Sequence, residues 1–215
     1  MKDIVLAGIS ASGKWTQSQK LLEYFGKKMK YFETGWILRS LQSTDNAIWN
    51  YLKNIIENGL LVKDEIVSGL FWVFLETLED WDIILADGCM RKLRQSNEIV
   101  RLLENKNRDF LVIELVLPEE EVYNRLANRI ICKNCWVNFN ASLTWDIKKC
   151  LECGWEIYRR NDDTNKNAIK NRIEAYHKNI VPSLEMLDKK WYLIKVDAML
   201  SADEIFQKIL EIIQK

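Results

Sequence analysis

Two glycines with four residues between them, the second followed at once by lysine, form the first stretch here whose composition points to chemistry. It reads Gly8-Ile9-Ser10-Ala11-Ser12-Gly13-Lys14. Glycines let successive backbone N–H groups curl around phosphate oxygens, a following helix adds the positive end of its dipole, and Lys14 supplies a mobile charge. Thr16, one place later than in the simplest form of this pattern, offers a hydroxyl to Mg2+. The stretch follows an apolar run at 3–7 and opens a segment with Leu21, Leu22 and Phe25 at helical spacing. That strand–loop–helix setting separates a phosphate cradle from a chance glycine turn. The candidate cradle is Gly8, Ser10, Ala11, Ser12, Gly13, Lys14, Trp15 and Thr16.

A second constellation is made of cysteine. Cys132 and Cys135 form one CxxC pair, Cys150 and Cys153 another, with fourteen residues between them. Two such knuckles supply the four thiolates that tetrahedral Zn2+ prefers and leave no open coordination position, so the expected role is structural. A metal here would tie together a lobe too thin to build its own core. The alternative is four buried or disulfide-linked cysteines. Cys89 stands apart and is expected to pack. His177 is the single histidine, in a helical segment, and a structural role is expected for it.

The elements that must position these groups follow from apolar runs at 3–7, 30–33, 82–86, 111–117 and 192–196. They are continuous rather than alternating, and helical patterns at 14–29, 63–79, 93–105, 119–130, 166–188 and 202–214 lie among them. That combination predicts a five-stranded parallel sheet covered on both faces. Residues 36–61 read as helices alone, and 132–158 are poor in helical pattern; both are expected as insertions at the strand ends where ligands bind. Lysine plus arginine and aspartate plus glutamate number 31 each, which makes no electrostatic case for nucleic acid or an anionic membrane. The N-terminal run is short for a secretory signal, and no apolar stretch approaches the ~20 residues that span a bilayer. A soluble, cytoplasmic protein is expected.

In motif order, and over nearly its whole length, the chain resembles the adenylate kinase family of nucleoside monophosphate kinases. GxxxxGKxTQ stands as Gly8 to Gln17. TGDxLR stands as Thr34-Gly35-Trp36-Ile37-Leu38-Arg39, and GxLVxDE as Gly59 to Glu65. DGFPR with its following glutamine stands as Asp87-Gly88-Cys89-Met90-Arg91 and Gln95. The lid arginines match Arg125 and Arg129, RxDD matches Arg160-Asn161-Asp162-Asp163, and a later helix arginine matches Arg172. One extra residue between Asp163 and Arg172 keeps Arg159 a rival for Arg160. The resemblance implies a three-layer P-loop kinase fold with a core (1–32, 63–124 and 164–215), a helical AMP-binding lobe (33–62) and a zinc-binding lid (125–163).

It also implies transfer of the γ-phosphoryl group of Mg·ATP to AMP, giving two ADP, by a monomer. Arg39 and Arg91 would grip the AMP phosphate. Lys14, Arg125, Arg129, Arg160 and Arg172 would surround the ATP phosphates and the moving group, with Arg160 and Arg172 also reaching AMP. Asp87 would orient Mg2+ through water. Thr34, Gln95 and the Val62 backbone would face the AMP nucleoside, with Gly35 and Gly88 in the same motifs. Asp162 and Asp163 are either hinge-turn residues or partners of these arginines. UMP or CMP as acceptor remains open, as does a zinc-ribbon module for nucleic acid, which the neutral charge disfavours. Ala11 for a loop glycine and Met90 for the DGFPR proline leave room for a catalytically silent homologue.

The nine tryptophans form a pattern of their own. Trp15, Trp49, Trp81, Trp136, Trp155 and Trp191 fall where the family commonly has glycine, while Trp36, Trp72 and Trp145 are less telling. Glycine numbers only eight in 215 residues, about half the usual ~7% share. We expect these tryptophans to mark UGA codons read as glycine by the source organism; UGG at all nine positions would end the idea. If Trp15 is genuine, its indole must turn from the phosphates or obstruct them, since glycine serves where backbone approaches a ligand closely.

Overall fold

The computed structural model describes residues 1–41, 44–141 and 147–214. The main sheet contains β1 (Asp3–Ala7), β2 (Met29–Glu33), β3 (Ile83–Asp87), β4 (Phe110–Val116) and β8 (Leu193–Asp197), in the order β2-β3-β1-β4-β8. All four pairings are parallel, with Ile4 opposite both Leu85 and Leu111. The five expected strands and their parallel pairing are borne out. β1 and β3 are buried at every residue, because helices cover both faces.

Alternation along each strand divides the interior into two cores. Ile4 and Leu6 of β1, Ile83 and Leu85 of β3, and Ile113 and Leu115 of β4 point to one face. There they meet α1 (Lys14–Phe25) through Leu21, α6 (Glu119–Ala127) through Leu126 and α10 (Ala202–Ile213) through Ile209. Val5, Ala7, Ile84, Ala86 and Val112 point to the other face. They pack with Phe71 of α4 (Asp64–Glu76), Ile99 of α5 (Leu93–Asn105) and Leu184 of α9 (Val181–Lys189). Phe32 and Phe71 meet edge to face at 5.1 Å. Burying each such side chain contributes about 1.5–3 kcal/mol. Cys89 is fully buried in this second core.

α8 (Lys166–Ala175) continues into α9 through a wider turn, Tyr176–Ile180, with one extra residue per hydrogen-bonded ring. Ile169 and Ile173 before the turn face the first core; Leu184 and Leu187 after it face the second. Tyr176 touches both, and its hydroxyl donates to the buried Glu114 Oε1 at 2.7 Å.

Two smaller units stand at the strand ends. α2 (Thr34–Ser40) and α3 (Ala47–Glu57) follow β2. A separate antiparallel sheet, β6-β5-β7, is formed by β5 (Arg129–Cys132), β6 (Asn138–Asn140) and β7 (Ile157–Tyr158). The helical pattern over 119–130 therefore stops early. α6 ends at Ala127, and Arg129 already pairs with Asn140 of β6, because residues 129–132 find a strand partner there. Likewise the first helix ends at Phe25 rather than 29, where Gly26 takes a φ of 59°. α7 (Asn161–Thr164) links this sheet to α8. Among the described residues no helix is long and apolar enough to cross a membrane.

Three helices end in the same motif, with a left-handed residue just past the C-cap whose own N–H and that of the next residue satisfy carbonyls of the last turn. After α3 it is Gly59 (φ 69°), after α5 Asn107 (φ 53°) and after α9 Trp191 (φ 63°). In the last, Trp191 N donates to Asp188 O at 2.9 Å and Tyr192 N to Leu187 O at 3.0 Å. Glycine accepts that conformation for want of a Cβ and asparagine through local hydrogen bonds of its short side chain; tryptophan has neither recourse. Trp145 lies outside the described residues.

Candidate active site

The C-terminal ends of the central strands open into one cavity of about 550 Å³. Its floor is the loop between β1 and α1. Gly8 takes a φ of 131°, and a Cβ there would lie 2.5 Å from the Leu115 carbonyl oxygen, so only glycine fits. Gly13, at φ 95°, precedes α1, whose first turn has neither a capping side chain nor an acidic residue. The N–H groups at that end are thus left for an anion. Lys14 bends back over the loop, its Nζ donating to the carbonyls of Gly8 at 2.9 Å and Ile9 at 3.0 Å. Burial lowers its pKa, and Asp87 opposes that shift. Ala11 sits at φ 63°, a conformation that favours glycine. Ser10, Ser12, Trp15 and Thr16 complete this wall, so Trp15 borders the cavity.

The opposite wall comes from β2, α2, the 59–62 segment and the loop after β3. Glu33 caps α2 by accepting from Gly35 N at 3.0 Å and from Trp36 N. A Cβ on Gly35 would lie 2.7 Å from Arg39 Nη1, so a side chain there would push the arginine aside. Thr34 is buried, and its Oγ1 has no partner. Gly88 adopts φ 79° and lets the chain fold back so that Gln95 Oε1 accepts from Arg91 N at 2.7 Å. Val62 lines the same wall. Asp87, at the end of β3, is buried with Oδ1 unpaired. Burial raises its pKa to about 6, against the pull of Lys14 and with a push from Glu33.

Arginine closes the cavity. Arg39, Arg91, Arg125, Arg129, Arg160 and Arg172 all line it, brought from α2, the β3 loop, α6, β5, the turn before α7, and α8. Arg159 does not; it is exposed and donates to Ala127 O at 2.8 Å. Asp162 and Asp163 are buried among these cations. Asp162 pairs with Arg39 at 3.1 Å and also with Arg172. Asp163 accepts from Arg129 Nε at 2.7 Å and Arg172 Nη1 at 2.8 Å. Burial lowers the pKa of Arg172, Arg160 and Arg39, and neighbouring arginines lower it further; that of Arg160 falls to about 10, and its Nε is left without a partner. Two unit charges 4 Å apart interact by about 4 kcal/mol at an effective dielectric of ~20. The four carboxylates in and against the cavity, Glu33, Asp87, Asp162 and Asp163, cannot balance its six arginines and Lys14, so the cluster is short of negative charge.

The four paired cysteines form a separate centre beside β5. Their Sγ atoms all lie within 4.8 Å of one another, with Cys132–Cys153 at 3.4 Å and Cys135–Cys150 at 3.5 Å. All four are free thiols, and these spacings suit four sulfurs around one ion at ~2.3 Å rather than a disulfide. Asn134 N donates to Cys132 Sγ at 3.3 Å, as the turn of a metal knuckle requires. The residue after the second cysteine of each knuckle is left-handed: Gly154 at φ 76° and Trp136 at φ 61°. The two knuckles are conformationally alike, so Trp136 occupies a glycine-type position.

Sequence reasoning missed Glu33, whose capping role shows only once α2 is folded, and Lys92, which lines the cavity through a contact to Val62. It also missed the wall formed by Asn138, Phe139, Ala198 and Leu200, with Arg125 Nη2 donating to Ala198 O at 2.9 Å. Their residue types carry no motif.

A family model described as Adenylate kinase matches residues 6–192. An adenylate kinase of Elusimicrobium minutum (strain Pei191) is 34% identical over 218 residues, covering 99% of this chain and 98% of the relative. One of Wolbachia sp. subsp. Drosophila simulans (strain wRi) is 33% identical over 209 residues, covering 96% and 95%. One of Geobacillus sp. (strain WCH70) is 29% identical over 214 residues, covering 98% of each.

Proposed function

We propose that this chain, which belongs to the adenylate kinase family, transfers the γ-phosphoryl group of Mg·ATP reversibly to AMP, giving two ADP. The observation that carries the reading is the single cavity in which a glycine cradle faces a cluster of arginines short of negative charge. Two nucleotide phosphate chains supply the missing charge. Lys14 and the α1 N–H groups hold the donor's phosphates, Arg39 and Arg91 hold the acceptor's, and the two chains approach end to end. In such a transfer charge spreads over the oxygens of the moving group, and positioned cations lower the barrier without a covalent intermediate. Arg125, Arg129, Arg160 and Arg172 take that role. Arginine's planar fork grips two oxygens at once.

The unpaired Asp87 Oδ1, beside a loop carrying Thr16, suits a water-mediated hold on the Mg2+ that arrives with ATP. The ion would neutralise phosphate charge when bound. Thr34 Oγ1, the Gln95 amide and the Val62 backbone face the acceptor's nucleoside. The cysteine centre takes Zn2+ as a structural ion that holds the β5–β7 sheet together. Residues 33–62 act as the acceptor lobe and 125–163 as the lid, both closing on the core (1–32, 63–124 and 164–215) to exclude water. We assign the enzyme to the cytoplasm as a monomer.

The test is ADP formation from Mg·ATP with AMP, GMP, CMP and UMP, on this chain and on its Trp15→Gly variant. AMP should be the preferred acceptor. Because Trp15 borders the donor side of the cavity, the variant should be the faster enzyme. Preference for another monophosphate, or no transfer by either chain, would overturn the reading.

A further inference from the structure

We propose that Lys92 is a positioning residue of the monophosphate side of the cavity: it straps the Val62 carbonyl to the loop that carries Arg91. The proposal rests on the function inferred above. Lys92 is the N-cap of α5, where a cation opposes the helix dipole, and it caps nothing with its own side chain. Its stem instead crosses to the preceding helix. Nζ donates to Val62 O at 3.0 Å and pairs with Asp64 Oδ1 at 3.1 Å, with the two side chains 28% and 13% exposed. The neighbouring pair, Arg94–Glu65, joins the same two helix starts but is 72% and 60% exposed, so it is screened and adds little.

The strap matters because of what it joins. Val62 ends the segment that returns from α3, and Arg91 directly precedes Lys92. Gln95, one turn on, fixes the Arg91 backbone by accepting its N–H at 2.7 Å. Val62, Arg91, Lys92 and Gln95 all line the cavity, yet Val62 and Arg91 come from different elements. Lys92 is the described side chain that bonds across the gap to the Val62 backbone. Holding that carbonyl in place sets the distance between the surface that meets the base and the guanidinium that meets its phosphate. A loosened strap lets the two drift apart, which weakens the acceptor and leaves the donor side alone.

The experiment compares the full-length chain with Lys92→Met and Lys92→Arg in steady-state kinetics. Loss of a charge-assisted hydrogen bond predicts that KM for AMP rises about tenfold in Lys92→Met, while KM for ATP stays within about twofold. Lys92→Arg, which keeps charge and donors, should restore much of the loss. An unchanged KM for AMP, a parallel rise in both KM values, or Lys92→Arg behaving like Lys92→Met would overturn the proposal. Amide hydrogen exchange across 58–64 reads the same strap without turnover. It should quicken in Lys92→Met, and unchanged exchange would overturn the strap even if the parent chain proved inactive on AMP. Inactivity of the parent, by contrast, would tell against the proposed function alone.

Discussion

Replacing Trp191 by glycine should make the protein more stable, although it deletes the largest side chain available. The indole is 91% exposed, so little apolar burial is lost. Its backbone, however, holds φ 63° at the end of α9, in the motif that Gly59 serves after α3. For a residue with a Cβ that conformation costs roughly 1–2 kcal/mol. Against this stands the extra freedom of glycine in the unfolded chain, about 0.4–1 kcal/mol. The balance is a gain of around 0.5–1 kcal/mol, or a rise of about 2–4 °C per kcal/mol in the thermal midpoint for a chain of this size. Trp81→Gly is the matched control. That side chain is 71% exposed, but its φ is not positive, so only the unfolded-state cost applies and the midpoint should fall. Thermal and urea unfolding of both variants measure the contrast. If Trp191→Gly were neutral or destabilising, or if both variants shifted alike, the argument that tryptophan stands at a glycine position there would fail. Trp136, whose counterpart in the other knuckle is Gly154, carries the same backbone cost, but its side chain is partly buried, so its replacement by glycine should gain less.

The remaining predictions concern the site. Arg160→Met should lower kcat by on the order of 100-fold, as loss of a group that stabilises developing charge does, while Arg159→Met should change it little; equal losses would refute the distinction. Folding raises Asp87 from 3.8 to about 6, so the folded chain holds this proton more tightly than the unfolded one. The resulting stabilisation is fully present below pH 3.8 and is lost as pH rises through about 6. Denaturant titrations should therefore show Asp87→Asn gaining on the parent chain as pH climbs from about 4 to about 6, and transfer activity of the parent should decline below pH about 6. A constant difference between the two would remove the titration from Asp87. Metal analysis should find zinc at one ion per chain. Chelation should expose residues 130–158 to limited proteolysis while the core resists, and indifference to chelator would remove the structural role.

The sheet was legible because its strands are continuous apolar runs, and a segment such as DIVLA or IILAD has few ways to be satisfied other than burial on both faces. The phosphate loop was legible because glycine spacing and lysine carry their own geometry. Less could be read where tertiary pairing decides. Arg129–Cys132 extends a helical pattern until Asn138–Asn140 offers it a strand. Ile157–Tyr158 is too short to announce itself as a strand at all. Asp162 and Asp163 looked equally like turn residues and arginine partners, and only folding brings Arg39 from 123 residues away to choose between them. Lys92 had no motif, since its partner is a backbone carbonyl. The tryptophans were conspicuous by position, but the strain at Trp136 and Trp191 became visible only as backbone angles.

The wide turn at Tyr176–Ile180 works as a phase adjuster. Each residue advances a helix by about 100°. The extra residue lets one rod present Arg172 to the cavity at one end and Leu184 with Leu187 to the second core at the other. Shortened by one residue, the same rod would have to turn either its arginine or its leucines by that angle. Placement of the arginine in the cavity and anchorage in the core are thus coupled through a single insertion, anchored by the Tyr176 hydroxyl on Glu114.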